Sequence, residues 1–448
     1  MSPPARGIAG GPDIAHRPAA LATSRIPLGR ASLLASSAIR EAARLGIPAQ
    51  SVTPVGGVRR FAPDVADTAL LAAFAPTHQA DVLERFTGLP MVTSVLERKS
   101  SAVRLGTLRG ALTVHVANPD TVGAAMVWHT GSRRHTVALA ERAATRDLVF
   151  AAGELRQRSG SVVTVTSEEE LYRLLDLPLI PPELREGDGE IAAAERGDLP
   201  CLVSTGHMRG DLHMHTAWSD GRDTVDSMAR TAHGLGYEYV AITDHSERAW
   251  SSRRLTAADI PRQREEIEAV RQSFSGFSIL HGVEVDIMPD GSLDFDDEIL
   301  AGFDIVLASL HDQAGQTRRE LTERYLSAIR HPLVNVITHP ANRSPALSDG
   351  YDLDFDRVIA AAFETGTALE IDGAPGHLDM DGALARRAAQ AGVTVTIDSD
   401  CHRSDALARQ MRYGIGTARR GWIEPHQVLN TRSVDDVRRF IADKRAGR

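Results

Sequence analysis

Cysteine is nearly absent: Cys201 and Cys401 are the only two in 448 residues. That scarcity excludes a disulfide framework and a cysteine zinc site, and makes a reducing, cytoplasmic location the expectation. Nor is there a run of about 18 apolar residues, so neither a spanning helix nor a membrane partner is expected. The opening MSPPARGIAGGPDIAHRPAALA lacks the apolar core of a secretory signal. Rich in Pro, Ala and Gly without an apolar period, residues 1–23 are expected to form a disordered tail. The remaining composition, 42% hydrophobic and 24% charged, is that of a globular protein. At about 100–200 residues per domain, the chain divides into several domains.

The net charge of −9 is unevenly spread. Residues 1–155 hold 17 Lys+Arg against 11 Asp+Glu, a balance of +6; residues 207–448 hold 28 against 38, a balance of −10. A basic front half suits a phosphate backbone, and equally an ordinary solvated surface. Acidity behind it is of the kind that bound cations neutralise.

Apolar periodicity predicts a helix over 25–45, strands over 51–55, 69–73 and 112–117, and helices over 120–128 and 135–146. Residues 178–200, rich in Pro, Gly and Glu, read as a linker. Beyond it seven β-rich runs follow, at 209–213, 239–243, 278–285, 305–310, 334–338, 368–371 and 393–397. Helical segments such as 260–272, 319–330 and 356–364 separate them. Alternating strands and helices imply βα units, a parallel sheet and a barrel related to the eight-fold one.

Polar residues stand where these runs end: His213-Met214-His215 and then Asp220, Asp244-His245, Glu284, His311, His339, Glu370, and Asp400-Cys401-His402. The C-terminal strand ends of a parallel barrel share one face, so these residues are expected to converge. In His-x-His on a strand both rings lie on one side, because side chains repeat every two residues. Imidazoles with carboxylates suit Zn²⁺, Mn²⁺ or Fe²⁺. A bridging carboxylate can hold two cations, which supply a nucleophile near neutral pH and clamp a phosphoryl group. A lone strand-end histidine is most often structural; ligand-type residues at nearly every strand end are not so explained. His207, His233, His281, His331, His377 and His426 fit no strand-end pattern and are expected to be structural. Asp211, Asp244 and Glu370 sit beside ligands and are expected to orient imidazoles; Asp244 is also, with Arg343, a candidate catalytic residue.

The segments GDLHMHTAWSDG, AITDHS, GVEVDI, ASLHD, ITHPANR, LEIDG and DSDCH resemble, in order, the motifs of the PHP (polymerase and histidinol phosphatase) domain. The resemblance implies a distorted seven-stranded barrel with three divalent metal ions. Its ligands would be His213, His215, Asp220, His245, Glu284, His311, His339, Asp400 and His402, with Glu284 bridging. Upstream, RIPLGRA, GGVRR, VADTALL, HTGSRRH and EEELYRLLDLPLIPPELREGDGEI, together with ARRGW near the C-terminus, resemble bacterial family X DNA polymerases that carry a C-terminal PHP domain. The expected layout is an α+β nucleotidyltransferase-like palm over 24–118, a thumb-like region over 119–187, a linker over 188–206 and the α/β PHP phosphoesterase over 207–448.

The palm departs from that family's pattern. Its Gly-Ser pair is Gly56-Gly57, its Asp-x-Asp is Asp67-Thr68-Ala69, and its third Asp falls on Thr113. One carboxylate of three is left, too few to hold two cations against triphosphate charge. The Tyr-Phe expected before Thr130-Gly131-Ser132 is Trp128-His129, and the Asn expected after His135 is Thr136. The similarity starts at the palm, so the family's DNA-end-binding and fingers region is expected to be missing.

By resemblance the expected activity is 3′→5′ exonuclease or 3′-phosphatase action on DNA ends, as part of DNA repair and without polymerisation. Arg59, Arg60, Arg133, Arg134, Arg419 and Arg420 are candidate DNA or phosphate contacts, with Arg343 beside them. Two alternatives stand: a small-molecule phosphomonoesterase of the histidinol-phosphatase type, and a non-catalytic DNA-binding repair accessory protein.

Overall fold

The computed structural model describes residues 25–249 and 251–447; the tail expected over residues 1–23 lies outside them. Seven strands, Gly210–Asp211, Tyr239–Ile242, Ser278–Asp286, Ile305–Ser309, Val336–Ile337, Ala368–Asp372 and Val395–Asp398, form one sheet in chain order. Every neighbouring pair is parallel. The sequences are β-branched and buried on both faces, as in YVAI and IVLAS. First and last strands meet at the C-terminal end, where Met214 bridges Cys401 and His215 N donates to Cys401 O at 2.9 Å. The sheet is thus a nearly closed seven-stranded barrel, as the strand count implied.

The two ends of the barrel are filled differently. Near the strand starts Tyr239, Leu280, Ile305 and Val336 form an apolar plug with Val437 and Ile441 of the last helix, Val434–Arg445. Each such buried side chain contributes about 1.5–3 kcal/mol. Apolar packing at that end leaves the opposite rim for polar groups. Outer helices such as Val225–Gly234, Ile260–Arg271 and Arg318–Arg330 cover the sheet. The last of these opens with a capping box, Thr317 accepting from Glu320 N while Glu320 accepts from Thr317 N.

Upstream lies a five-stranded sheet in the order Val52–Val55, Thr68–Ala73, Gly110–Ala117, Ala102–Thr107, Val92–Lys99. Only Thr68–Ala73 and Gly110–Ala117 run parallel. Helices Leu28–Arg44 and Pro76–Thr87 back it, through Leu34, Ala38, Val82 and Phe86 on Leu70, Val103 and Leu112. The hairpin of Val92–Lys99 with Ala102–Thr107 was not anticipated, although Val103 and Leu105 alternate inward on its second strand. Its edge strand is solvent-exposed along almost its whole length, so no alternation marks it. Next, Val122–Thr130, Arg133–Ala144 and Glu168–Leu174 surround Leu139, Phe150, Leu155 and Tyr172.

The stretch 178–200, expected as a linker, is instead part of this core. Ile180, Arg185 and Glu190 are fully buried, and Glu190–Arg196 is helical between left-handed Gly189 and Gly197. Its charges are internal partners: Glu190 Oε1 meets His135 Nδ1 at 2.6 Å.

That region also joins the two flanking parts. Glu168 pairs with Arg59 at 2.6 Å and with Arg185 at 2.5 Å. Glu186 pairs with Arg60 at 2.8 Å and with Arg420 at 2.5 Å, and Glu183 with Arg419 at 2.8 Å. Apolar contact runs alongside. Leu378 of the barrel is buried with Ile26, Leu28, Ala31, Val58 and Val65, and a Cβ on Gly29 would fall 2.6 Å from Pro375.

Four of the expected DNA contacts are therefore corrected: Arg59, Arg60, Arg419 and Arg420 face inward, neutralised by three glutamates. Such a pair is worth little intact, but removing one partner leaves a desolvated charge, at a cost of about 3–5 kcal/mol. Glu168→Ala, which strands the fully buried Arg185, should lower unfolding free energy by about that amount in urea titration. Glu97→Ala, on the exposed edge strand, should leave it nearly unchanged.

Candidate metal centre

Local strand geometry aims the ligands. Met214 points into the apolar core, so His213 and His215 on either side of it both face the barrel mouth. Glu284 lies late in Ser278–Asp286, where its backbone bridges His245. His311, His339, Asp400 and His402 each follow the end of a strand.

The nine residues converge. Glu284 has five imidazoles around its carboxylate: His245 Nδ1 at 2.8 Å, and the Nε2 atoms of His339 at 3.0, His213 at 3.3, His215 at 3.4 and His311 at 3.5 Å. Asp400 Oδ1 stands 3.1 Å from His215 Nε2 and 3.7 Å from His213 Nε2. Asp220 Oδ1 stands 3.1 Å from His402 Nε2 and 3.6 Å from His245 Nε2. Donor atoms fall into compact sets: His215, Asp220, His245 and His402; His213, His215 and Asp400; His245, Glu284 and His311.

This donor set fits cations better than it fits itself. The Nε2 atoms of His213 and His215 face each other at 3.1 Å. His245 Nδ1 and Glu284 Oε2, though 2.8 Å apart, are both buried without a hydrogen bond, as are Asp220 Oδ1, His215 Nδ1 and His339 Nδ1. Buried polar atoms are rarely left so, and coordination would satisfy several at once. Burial opposes charge on Glu284, yet His245 and His213 outweigh it and hold the carboxyl well below its usual range. It is thus ionised, as a bridging ligand must be.

An outer ring of carboxylates orients the imidazoles. Glu370 Oε1 meets His213 Nδ1 at 2.7 Å, and its Oε2 accepts from His339 N at 2.8 Å. Asp286 Oδ1 meets His311 Nδ1 at 2.6 Å. Asp286 went unnoticed, although Glu284-Val-Asp286 carries its signal: residues two apart on a strand share a face.

Two expected roles change. Asp244 touches no imidazole. It accepts from Thr216 N and Oγ1, Ser219 N and Oγ, and Gln263 Nε2 at 2.6–3.1 Å, fixing the loop that leads to Asp220. Asp211 Oδ1 accepts from the backbone N–H groups of His213 and Ser399 rather than from a ring, clamping first and last strands. Burial and neighbouring Asp398 push Asp211 up to about 8, so this pair of acids keeps a proton at neutral pH.

Among the described residues Arg343 makes no ion pair or hydrogen bond to the nine ligands; its Nη1 lies 3.5 Å from Asp381 Oδ2, beside a cavity of about 310 Å³ lined by Ala341, Phe355 and Arg387. His377 is the histidine the sequence reading missed. Its Nδ1 lies 2.9 Å from Asp372 Oδ2 and 3.6 Å from Asp400 Oδ2, and its ring centroid is 5.1 Å from that of His339. Among the other histidines set aside, His207 serves a capping box, His233 packs on Phe274 and Phe277, and His281 bonds Gln263.

The upstream cleft is plainer. Asp67 Oδ2 accepts from Thr113 Oγ1 at 2.5 Å, and Ala69 pairs with Thr113 across the parallel strands. His115 and His129 stack beside them, centroids 3.9 Å apart, and burial pushes His129 down to about 3, leaving it neutral. One carboxylate faces a hydroxyl, a methyl and uncharged rings.

Residues 125–186 match the DNA polymerase beta thumb, and residues 211–365 match the PHP domain. The DNA polymerase/3′-5′ exonuclease PolX of Bacillus subtilis is 36% identical over 390 residues, which span 86% of this chain and 68% of that protein. The chain belongs to the PolX family. Its PHP part is also similar to probable phosphatases. That of Thermoanaerobacter sp. (strain X514) is 29% identical over 52% of this chain and 95% of its own length. That of Acetivibrio thermocellus is 31% identical over 44% and 81%. This PolX-family chain is a hydrolase of the phosphoesterase type with a metal-dependent PHP domain. No described helix is long and apolar enough to cross a membrane.

If Glu284 bridges, its loss removes a ligand from two ions at once. Glu284→Ala should lower metal content further than His311→Ala and reduce phosphoesterase rates by several orders of magnitude. His233→Ala should retain both. Elemental analysis beside the rates reads the outcome, and full metal in Glu284→Ala would end the multinuclear interpretation.

Proposed function

We propose that this chain processes DNA 3′ ends, as a 3′→5′ exonuclease or 3′-phosphatase, and does not polymerise. One contrast carries the reading: nine ligands assembled around Glu284 in the PHP barrel, against a single carboxylate, Asp67, in the palm cleft. The proposed division is a palm over 24–118, a thumb over 119–187 and the phosphoesterase over 207–448, with 188–206 packed between. The thumb match and the name of the Bacillus relative support a DNA substrate.

Three bound divalent ions, Mn²⁺ or Zn²⁺ with Fe²⁺ as an alternative, would supply the nucleophile and the charge that clamps a phosphoryl group. The donor atoms that would hold them fall into the sets His215, Asp220, His245 and His402; His213, His215 and Asp400; and His245, Glu284 and His311, with His339 beside Glu284. Glu370 and Asp286 fix the rings of His213 and His311, so ligand geometry is set before ions or ester arrive. Asp244 holds the Asp220 loop in place by four hydrogen bonds and is itself braced by Gln263. Ala69 and Thr113 remove two of the three charges a triphosphate site needs.

The decisive screen adds Mn²⁺, Zn²⁺ or Fe²⁺ and compares 3′-recessed DNA, 3′-phosphorylated DNA and a panel of phosphomonoesters. Release of nucleotides or phosphate from DNA ends is expected, together with no template-dependent incorporation on a gapped duplex. Incorporation that survives repurification would refute the loss of polymerisation. The similarity to probable phosphatases along nearly their whole length favours a second reading, a small-molecule phosphatase. Turnover of phosphomonoesters far above DNA would select it, and DNA binding without hydrolysis would select the accessory role.

With the four inward arginines engaged, Arg133 and Arg134 are the exposed candidates for backbone contact at the thumb. Each lost phosphate contact lowers the slope of log K against log salt by roughly 0.7–0.9. Arg133→Ala with Arg134→Ala should therefore weaken DNA binding and flatten its salt dependence by up to about 2 in slope. An unchanged slope in fluorescence anisotropy would exclude both residues.

A further inference from the structure

His377 lies on no strand end, yet the fold delivers it to the mouth of the metal centre. It sits in the loop after Ala368–Asp372, the strand that also supplies Glu370. Asp372 Oδ2 holds its Nδ1 at 2.9 Å, and Asp400 Oδ2 stands 3.6 Å from the same atom. Asp400 thus faces two ways: Oδ1 toward His215 and His213, Oδ2 toward His377. His377 Nε2 has no hydrogen-bond partner among the described residues.

Exposure locates the opening of the site. His213, His215, Glu284 and His339 are at most 2% exposed, whereas His402 is 36% and His377 34% exposed, with Asp220 at 22% and His311 at 21%. An ester reaching the buried ligands passes between these four rim residues. His402, Asp220 and His311 belong to the ligand set; His377 is left over. Its loop is held rigidly from behind, with Leu378 in the apolar cluster around Leu28 and Pro375 against Gly29.

We propose that His377 is a catalytic residue of this centre that touches the substrate, presenting Nε2 to an oxygen of the phosphoryl group while Asp372 holds its other nitrogen. The inference rests on the phosphoesterase reading. Asp372 accepts from Nδ1–H, and two carboxylate oxygens at that edge favour a second proton on Nε2; in that imidazolium form Nε2–H can donate to an anion. A phosphoryl group acquires charge in its transition state, so a donor fixed there contributes to rate as well as to binding. Asp372 is satisfied already: its Oδ1 accepts from Ala374 N at 2.5 Å and its Oδ2 meets His377. The ring is therefore anchored by ordinary hydrogen bonds, unlike His245 or His339, whose buried Nδ1 atoms lack one.

The test uses the full-length, metal-loaded protein and inorganic phosphate as probe. His377→Ala should keep the wild-type metal content by elemental analysis and bind phosphate at least tenfold more weakly by calorimetry. Its kcat on a phosphomonoester should fall at least tenfold. His377→Gln, which retains an N–H donor, should recover part of both losses. Unchanged phosphate affinity in His377→Ala would overturn the proposal. So would loss of a metal equivalent, which would make the ring a ligand instead. A wild-type protein that takes up no metal, or hydrolyses no phosphoester, fails at the earlier reading and is recognised without any variant.

Discussion

Five imidazole rings around the carboxylate of Glu284 are the constraint to which the rest of the molecule answers. A buried carboxylate alone would neutralise itself, and buried imidazoles alone would refuse a proton. Held together, His245 and His213 keep Glu284 ionised, while burial pushes His215 down to about 3 and His339 to about 4, leaving those rings neutral as cation ligands must be. Bringing five rings from four strand ends to one carboxylate requires a scaffold whose strand ends all meet, and a nearly closed parallel barrel provides it. It also requires that apolar packing be kept to the opposite end, where Tyr239, Leu280 and Ile305 pack with the last helix.

Much of this was legible because strand geometry leaves a simple trace. Side chains two apart share a face, and strand ends of a parallel barrel share a rim. His213-x-His215 and Asp400-x-His402 could thus be read as one site without coordinates. The same rule held for Glu284-x-Asp286 and Glu370-x-Asp372, but there the second acid was overlooked, because its partner ring comes from elsewhere in the chain. His377 was illegible for a different reason. A loop residue carries no period, and its place is fixed by contacts no pattern records: Asp372 on its ring, and Leu378 and Pro375 packed on the upstream lobe.

Charge misled where periodicity did not. Arg59, Arg60, Arg419 and Arg420 look like a surface for phosphate when counted along the chain. In the fold they meet Glu168, Glu183 and Glu186, from the stretch that also contains the mistaken linker. Both errors have one source. Pro, Gly and Glu in 178–200 mark loop and solvent by composition, whereas Arg185 and Glu190 are buried because each has found a partner. Composition records how often a residue type is exposed, and pairing decides the particular case.

The junction through Glu186 has a consequence for how a substrate must travel. Arg60 comes from the upstream sheet region, Glu186 from the thumb side and Arg420 from the barrel, and Arg420 also donates to the backbone oxygen of Arg60. Rotating any one lobe would tear a charge from its partner in a half-dehydrated seam. The three lobes form a frame rather than a hinge. On the proposed DNA reading, a strand end held at the thumb would have to supply, by its own fraying or bending, any motion needed to reach the barrel mouth.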